Sequence, residues 1–180
     1  MEYTETFLPE VLHLLPAKYL DYRGSFSELW HQERYQAVGV DVPFVQDNVA
    51  ESKKGVIRGL HYQYPQEQAK LVTALYGKVF DVAVDIRKSS STFGQWVGII
   101  LSAESRNQLF IPAGFAHGYQ VLTETAIVHY KCSTSYDPTG EYQLCWNDPN
   151  IGIAWPISKS ILSDKDRLAP LLSELIILPP

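Results

Sequence analysis

One polar stretch of the chain, Arg58 to Lys70, carries residue types suited to ligand binding and proton transfer. It contains an arginine, a histidine, tyrosines, glutamines and a lysine, with few apolar side chains to bury. A neutral imidazole can take a proton near neutral pH, and a fixed ammonium group stabilises a developing oxyanion in a pocket that holds little water. A strand buried in a core rarely has this composition. We therefore predict a binding site in this stretch.

A second motif, Pro112-x-Gly114-x-x-His117, resembles the second motif of the cupin family of small jelly-roll barrels. Metal-binding cupins carry an earlier motif that supplies two histidines one residue apart and a glutamate downstream. Here that region offers only His61, followed by a tyrosine and a glutamine. Because several ligands must converge on one ion, this pattern predicts no metal site.

Composition narrows the class of protein. The 180 residues carry a formal net charge of −5, which argues against a nucleic-acid surface because such surfaces need an excess of lysine and arginine. No apolar run approaches the ~18–20 residues of a membrane span, and the acidic start lacks the pattern of a secretory signal, so we expect a cytoplasmic protein. Cys132 and Cys145 are expected to be reduced, packed thiols.

Short alternating segments, typical of β-strands, make up most of the chain. The predicted strands are Ser25–Trp30, Pro43–Asn48, Gly55–Leu60, Lys70–Tyr76, Val79–Ile86, Trp96–Leu101, Asn107–Ile111, His117–Leu122 and Ala126–Cys132. A short helical or irregular piece is expected at 31–38. The leucine spacing within 163–175 predicts a helix that covers one edge of the β core. We expect one all-β domain, residues 1–180, built as a sandwich or barrel.

Eight blocks of the sequence, in the same order, resemble the dTDP-4-dehydrorhamnose 3,5-epimerase family from about Asp21 to Leu172. The blocks are Asp21-Tyr22-Arg23-Gly24, Gln46-Asp47-Asn48, Arg58-Gly59-Leu60-His61-Tyr62-Gln63, Lys70-Leu71-Val72, Asp81-Val82-Ala83-Val84-Asp85-Ile86-Arg87, Phe115-Ala116-His117-Gly118, Tyr130-Lys131 and Trp146-Asn147-Asp148-Pro149. The resemblance implies a cupin-like jelly-roll β-barrel or sandwich with a few short peripheral helices, one of them near the C-terminus.

The same resemblance implies an isomerase that uses no metal and no cofactor and forms a homodimer. Its substrate would be a dTDP-linked 4-keto-6-deoxyhexose in the pathway to activated L-rhamnose. The expected reaction inverts C3 and C5 of dTDP-4-dehydro-6-deoxy-D-glucose and gives dTDP-4-dehydro-L-rhamnose.

Such a reaction needs three groups. The C4 ketone makes the protons on C3 and C5 removable if a base reaches them, a cation receives the enolate charge and an acid returns a proton to the opposite face. We expect His61 to be the base, Lys70 the cation and Tyr130 the acid, and the resemblance gives Asp166 as the carboxylate partner of His61. Alternation along 126–132 lets Tyr130 face the barrel interior while its two neighbours face away.

The resemblance also implies contacts to the nucleotide sugar. The matching positions are Arg23, Glu28, Gln46, Asp47, Asn48, Arg58, His117, Glu141 and Lys165. Guanidinium groups fit the oxygens of a diphosphate, which suits Arg23 and Arg58. In this family the strand that carries Arg23 crosses to the partner subunit, so a dimer would complete the site. Many relatives carry a second aromatic residue at the position of Ser135, which leaves the nucleobase preference open.

Alternatives stay open at this point. The chain can instead be a single-site C3 or C5 epimerase of a related nucleotide sugar, a non-catalytic sugar-binding cupin, or a metal-dependent cupin oxygenase. His117 either orients substrate or closes the barrel floor, and Asp81 either holds the Lys70 ammonium group or ends a polar strand face. Three histidines match no motif and are expected to be structural: His13, His31 and His129.

Overall fold

The computed structural model describes residues 2–180, which form mainly antiparallel β-strands joined by short turns. The strands are β1 (Glu2–Glu5), β2 (Leu12–Leu15), β3 (Lys18–Asp21), β4 (Gly24–Ser27), β5 (Gln46–Lys53), β6 (Ile57–Gln63), β7 (Lys70–Tyr76), β8 (Lys78–Asp85), β9 (Trp96–Ser102), β10 (Gln108–Ile111), β11 (Phe115–Val121), β12 (Thr125–Cys132) and β13 (Glu141–Gln143). The helices are short: α1 (Gln32–Gln36), α2 (Asp164–Arg167) and a 3-10 turn, Leu172–Glu174.

Two sheets form the body of the fold. The larger sheet has the strand order β1-β2-β10-β7-β12-β5, and the smaller has the order β13-β6-β11-β8-β9. Between them lies a core to which the larger sheet gives Val72 and Val128 and the smaller gives Ala83 and Val121. The expected all-β sandwich with short peripheral helices is confirmed. Strands β3 and β4 form a separate two-stranded hairpin.

The smaller sheet is covered on both faces, and the alternation along β8 shows why. Ala83 faces the core between the sheets, whereas Val82 and Val84 face outward and pack in a second cluster with Leu178 from the C-terminal segment. The C-terminal segment therefore lies across the outer face of this sheet. Leu172 and Leu175, from the segment expected to cover a sheet edge, pack against the same outer cluster, so that segment covers a sheet face instead.

Three predicted boundaries also differ from the structure. The strand expected at Pro43–Asn48 begins at Gln46 instead of ending near it, and the strand expected at Ser25–Trp30 ends at Ser27. The helix expected within 163–175 is broken into α2 and the 3-10 turn. Pro170 explains the break, because proline lacks an N–H donor and disfavours helical geometry in the residue before it.

Two further expectations bear on the class of protein. Within residues 2–180, no helix is long and apolar enough to cross a membrane. Cys132 and Cys145 are both free thiols, the first buried and the second partly exposed.

Candidate active site

A cavity of about 450 Å³ opens between the two sheets and gathers most of the predicted site residues. The predicted residues that line it are Arg58, His61, Lys70, His117, Tyr130, Glu141, Lys165 and Asp166. The larger sheet supplies Lys70 and Tyr130, and α2 supplies Lys165 and Asp166. The smaller sheet supplies the other four, which are Arg58, His61, His117 and Glu141. The four predicted catalytic residues therefore share one cavity.

His61 and Asp166 form a hydrogen-bonded pair, although 105 positions separate them in the sequence. The distance from His61 Nε2 to Asp166 Oδ1 is 2.6 Å. Burial raises the pKa of the Asp166 carboxyl, but the hydrogen bonds from His61 and Ser163 outweigh it and hold that pKa below its ordinary value. Asp166 is thus an ionised acceptor, His61 Nε2 carries the proton, and His61 Nδ1 is the nitrogen left to act as a base.

His117 forms a second histidine–carboxylate pair beside the first. Its Nε2 donates to Asp81 Oδ1 at 2.9 Å, and it lies opposite His61 in the register of β11 and β6. Burial lowers the pKa of His117, and Asp81 opposes that shift. Asp81 thus hydrogen-bonds His117, an arrangement that neither sequence-based interpretation of Asp81 included.

Lys70 and Tyr130 form the facing wall of the cavity. Lys70 begins β7 opposite Cys132 of β12, and Tyr130 lies two residues before Cys132 on the same strand face. Burial lowers the pKa of Lys70, with Cys132, Glu141 and Asp81 opposing the shift. Burial raises the pKa of Tyr130. Tyr130 therefore stays protonated at neutral pH and can donate a proton from the side opposite His61.

A close approach of two strands sets the spacing of the two histidines. Gly59 has φ +127°, and a Cβ placed on it would lie 2.5 Å from Gly118 Cα and 2.7 Å from His117 O. The β11–β6 register shifts at this point, between His117 and Tyr119. Glycine at position 59 thus permits both the backbone angle and the contact that bring His61 beside His117.

Polar contacts frame the rest of the cavity. Arg58 Nε donates to Ser52 Oγ at 2.9 Å, which joins the smaller sheet to β5 across the opening. Lys165 Nζ and Glu141 Oε2 form a close ion pair that links α2 to β13, and the Tyr136 hydroxyl donates to the same oxygen at 3.2 Å.

Five predicted substrate-binding residues do not line the cavity: Arg23, Glu28, Gln46, Asp47 and Asn48. Gln46 and Asn48 are on the β5 face that continues to Ala50 in the cavity wall, and Asn48 Nδ2 donates to Cys132 Sγ at 3.5 Å. Asp47 points to the opposite face because side chains alternate along a strand. Of the three predicted residues on β5, Asp47 is the one that does not share the face of Ala50.

The outward-facing contacts of Asp47 explain its position. It accepts from Lys131 Nζ at 2.7 Å and lies 3.4 Å from His129 Nε2. Both partners flank Tyr130 on the face directed away from the cavity, as the alternation along β12 predicted. His13 does not line the cavity, and its Nε2 lies 2.9 Å from Asn107 Nδ2.

Arg23 and Glu28 lie on or next to the β3–β4 hairpin. Arg23 pairs with Asp21 at 2.6 Å in the turn, and Glu28 pairs with Arg34 at 2.8 Å. Neither side chain reaches the cavity of its own chain.

Two cavity residues with polar side chains, Tyr119 and Ser163, were not predicted from the sequence. Tyr119 is buried, and its hydroxyl has no hydrogen-bond partner within residues 2–180. Its spacing of two from His117 on one strand was the available signal. Ser163 caps α2 and contacts Asp166, a relation indicated by the Ser-x-x-Asp spacing. Among the described residues, no cluster of three or more His, Cys, Asp or Glu could hold a metal ion.

Comparison of this chain with known proteins identifies its family. The family model described as dTDP-4-dehydrorhamnose 3,5-epimerase matches residues 5–174. The dTDP-4-dehydrorhamnose 3,5-epimerase of Salmonella typhimurium is 51% identical over 176 residues, which is 96% of each chain. The chain belongs to the dTDP-4-dehydrorhamnose 3,5-epimerase family.

Solved structures of the epimerase family agree with the fold described above. The dTDP-6-deoxy-D-glucose-3,5-epimerase of Legionella pneumophila, solved with dTDP-4-keto-L-rhamnose, matches with a TM-score of 0.96 and 48% identity, covering 99% of this chain and 97% of that one. The Bacillus anthracis dTDP-4-dehydrorhamnose 3,5-epimerase, solved with TDP and PPi, matches with a TM-score of 0.92 and 44% identity, covering 94% and 98%. The cupin-like architecture expected from the sequence is thus that of an epimerase of this family.

Proposed function

We propose that this chain inverts C3 and C5 of dTDP-4-dehydro-6-deoxy-D-glucose with a base and an acid from opposite sheets. It is an isomerase by its family, and the 3,5-epimerase activity follows from relatives about half identical over nearly the whole chain. The catalytic roles proposed for these residues rest on one observation: the His61–Asp166 pair faces Lys70 and Tyr130 across a single cavity.

The reaction begins with proton removal beside the C4 ketone. His61 Nδ1 takes the proton from C5 or C3, and Asp166 stabilises the imidazolium that forms, as a carboxylate partner does for a histidine base. The electron pair of the broken C–H bond moves into the ring, and the C4 oxygen becomes an enolate oxyanion. Lys70 then stabilises that oxyanion in a site from which water is largely excluded.

Reprotonation completes each inversion. The Tyr130 hydroxyl gives its proton to the carbon on the face opposite His61, and the C4 ketone returns. His61 is then protonated and Tyr130 is a tyrosinate, so proton exchange with solvent restores both before the second carbon reacts. No electrons leave the substrate in either step, so the chemistry requires no redox partner.

Arg58 and the second histidine pair suit the binding of the rest of the substrate. The Arg58 guanidinium lies at the cavity wall and can grip a diphosphate with the donors that Ser52 leaves free. His117, held neutral by burial and fixed by Asp81, lies where it can orient the sugar ring. Glu141 and Lys165 flank the opening opposite.

We also propose that the working unit is a homodimer in which the β3–β4 hairpin enters the partner's site. The hairpin exposes large apolar side chains, with Tyr19 64%, Tyr22 97% and Phe26 68% exposed. A monomeric surface rarely leaves such a group uncovered. Arg23 at its turn would then supply a second guanidinium to the partner's diphosphate site, which explains why it does not reach its own cavity.

Proton NMR of the product formed in deuterated water tests the number of carbons inverted. The enzyme and dTDP-4-keto-6-deoxyglucose are expected to give a product with deuterium at both C3 and C5, because each inversion returns a proton from an exchangeable tyrosine. Deuterium at only one carbon would instead support a single-site epimerase. Absence of exchange at both carbons, with dTDP still bound, would support the non-catalytic alternative.

A further inference from the structure

We propose that Ser163 is a positioning residue for the catalytic base, the third member of a Ser163–Asp166–His61 chain of hydrogen bonds. The inference rests on the proposed role of His61 and adds a residue to that mechanism. Ser163 lies in the cavity wall, so its hydroxyl is at the active site and not on a remote surface.

The Ser163 hydroxyl makes two hydrogen bonds at once. It donates to Asp166 Oδ2 at 2.8 Å, and its oxygen accepts from the Asp166 backbone N–H at 3.1 Å. The second contact is an ordinary helix N-cap. The hydrogen bond to Oδ2 is not part of a helix cap, because the Ser163 hydroxyl donates it to the side chain of Asp166, the partner of His61.

The donated proton fixes the rotation of the carboxylate. With Oδ2 engaged by Ser163, Oδ1 is directed at His61 Nε2 at 2.6 Å. The Gly59 backbone N–H also stabilises the ionised carboxylate. Without the Ser163 bond the carboxylate is less restricted in rotation, and its histidine partner then samples other orientations. Ser163 therefore keeps His61 Nδ1 aimed at the substrate carbon.

The segment that contains Ser163 and Asp166 is anchored on each side by hydrogen bonds to the rest of the fold. Upstream, Ile161 exchanges backbone hydrogen bonds with Gly55 and Ile57 of the sheet region at 2.8 and 2.9 Å. Downstream, the Leu172 N–H donates to the buried Asp148 carboxylate at 2.7 Å. The chain on both sides of α2 is thus held by contacts that do not involve the Ser163 hydroxyl. Apart from its capping bond, that hydroxyl sets the geometry of the Asp166 side chain.

Ser163→Gly separates positioning from capping. Glycine is nearly as good as serine at an N-cap, so α2 keeps its start while the donor to Asp166 is lost. Ser163→Thr keeps a hydroxyl at the same place and is the rescue variant. Ser160→Gly is the matched control, since its hydroxyl lies three residues upstream and accepts from Gln120 Nε2 at 3.2 Å without touching Asp166.

Steady-state kinetics and a carboxyl 13C titration of Asp166 are the two measurements. For Ser163→Gly we expect kcat to fall about tenfold with KM unchanged, a fraction of the ~10²–10⁴ that a general base contributes. The pKa of Asp166 should rise, because a hydrogen bond that favours its ionised form is gone. Ser163→Thr should restore both values, and Ser160→Gly should match the wild type.

A kcat for Ser163→Gly equal to that of the wild type, or an unmoved Asp166 titration, would overturn the inference. If Ser163→Gly fails to fold, Ser163→Asn, which keeps a strong N-cap acceptor but removes the hydroxyl, is measured by the same titration and decides the question. The proposed function is tested by a different result. If the wild-type enzyme exchanges neither the C3 nor the C5 proton, the proposed function is refuted, whatever the Ser163 variants show.

Discussion

At the residue scale, the cavity contains two histidines whose carboxylate hydrogen-bond partners come from different parts of the fold. His61 takes its carboxylate from α2, outside the sheets, whereas His117 takes its carboxylate from the neighbouring strand β8. His61 and Lys70 could be singled out from the sequence because they lie in one short stretch dense in polar side chains, with Arg58 three residues before His61 and Lys70 nine residues after it. The bond from His117 to Asp81 was not, since it depends on the exact register of β11 against β8.

Replacing Lys70 tests whether its positive charge stabilises the enolate. Lys70→Met keeps the length of the side chain and removes the ammonium group, so we expect kcat/KM to fall by roughly 10²–10³, as loss of one oxyanion-stabilising donor does. Affinity for dTDP, measured by calorimetry, should change little because the enolate lies on the sugar. Lys78→Met, an exposed lysine 3.9 Å from Glu104, is the control and should match the wild type. Retained activity in Lys70→Met would remove lysine from the mechanism.

At the element scale, the site depends on how β6 and β11 meet. The strands themselves were predictable from alternation and turn residues, and most strand boundaries agree within a few residues. The contact at Gly59 was not predictable, because it is a tertiary approach and leaves no local pattern. Likewise, α2 was predicted as part of a longer helix, since leucine spacing alone does not reveal the break at Pro170.

Gly59→Ala tests the strand contact. Both the positive φ and the 2.5 Å clash with Gly118 oppose the new methyl group, so we expect a loss of about 3–5 kcal/mol in the free energy of unfolding. Gly39→Ala is the matched control: it shares a positive φ of +96° but meets only Leu12 Cδ1 at 3.5 Å. That change should cost about 1–2 kcal/mol. Equal losses in urea denaturation would show that the close contact has no energetic role.

At the scale of the whole molecule, the β3–β4 hairpin is the feature that the single chain leaves unexplained. It forms its own small sheet, exposes aromatic side chains and keeps Arg23 outside the cavity. From the sequence, only the family resemblance placed Arg23 near the substrate, since neither spacing nor composition indicates a contact between two copies of a chain. The proposed dimer would reconcile the resemblance with the geometry.

Subunit complementation tests that arrangement. Arg23→Ala and His61→Ala chains are each expected to be impaired, and they are unfolded, mixed and refolded together. With random pairing, half of the dimers are mixed and each mixed dimer holds one intact site, so about a quarter of wild-type activity should return. Activity no higher than that of the separate variants would place Arg23 in its own chain's site.

The central claim is that His61 and Tyr130 act on opposite faces of one substrate, and proton exchange in deuterated water tests it most directly. Tyr130→Phe should still exchange a ring proton, because His61 removes and returns it on the same face, yet should form no inverted product. His61→Asn should lose both exchange and inversion, while His129→Asn, the same change outside the cavity, should keep both. Exchange that persists in His61→Asn, or inversion that persists in Tyr130→Phe, would contradict the account.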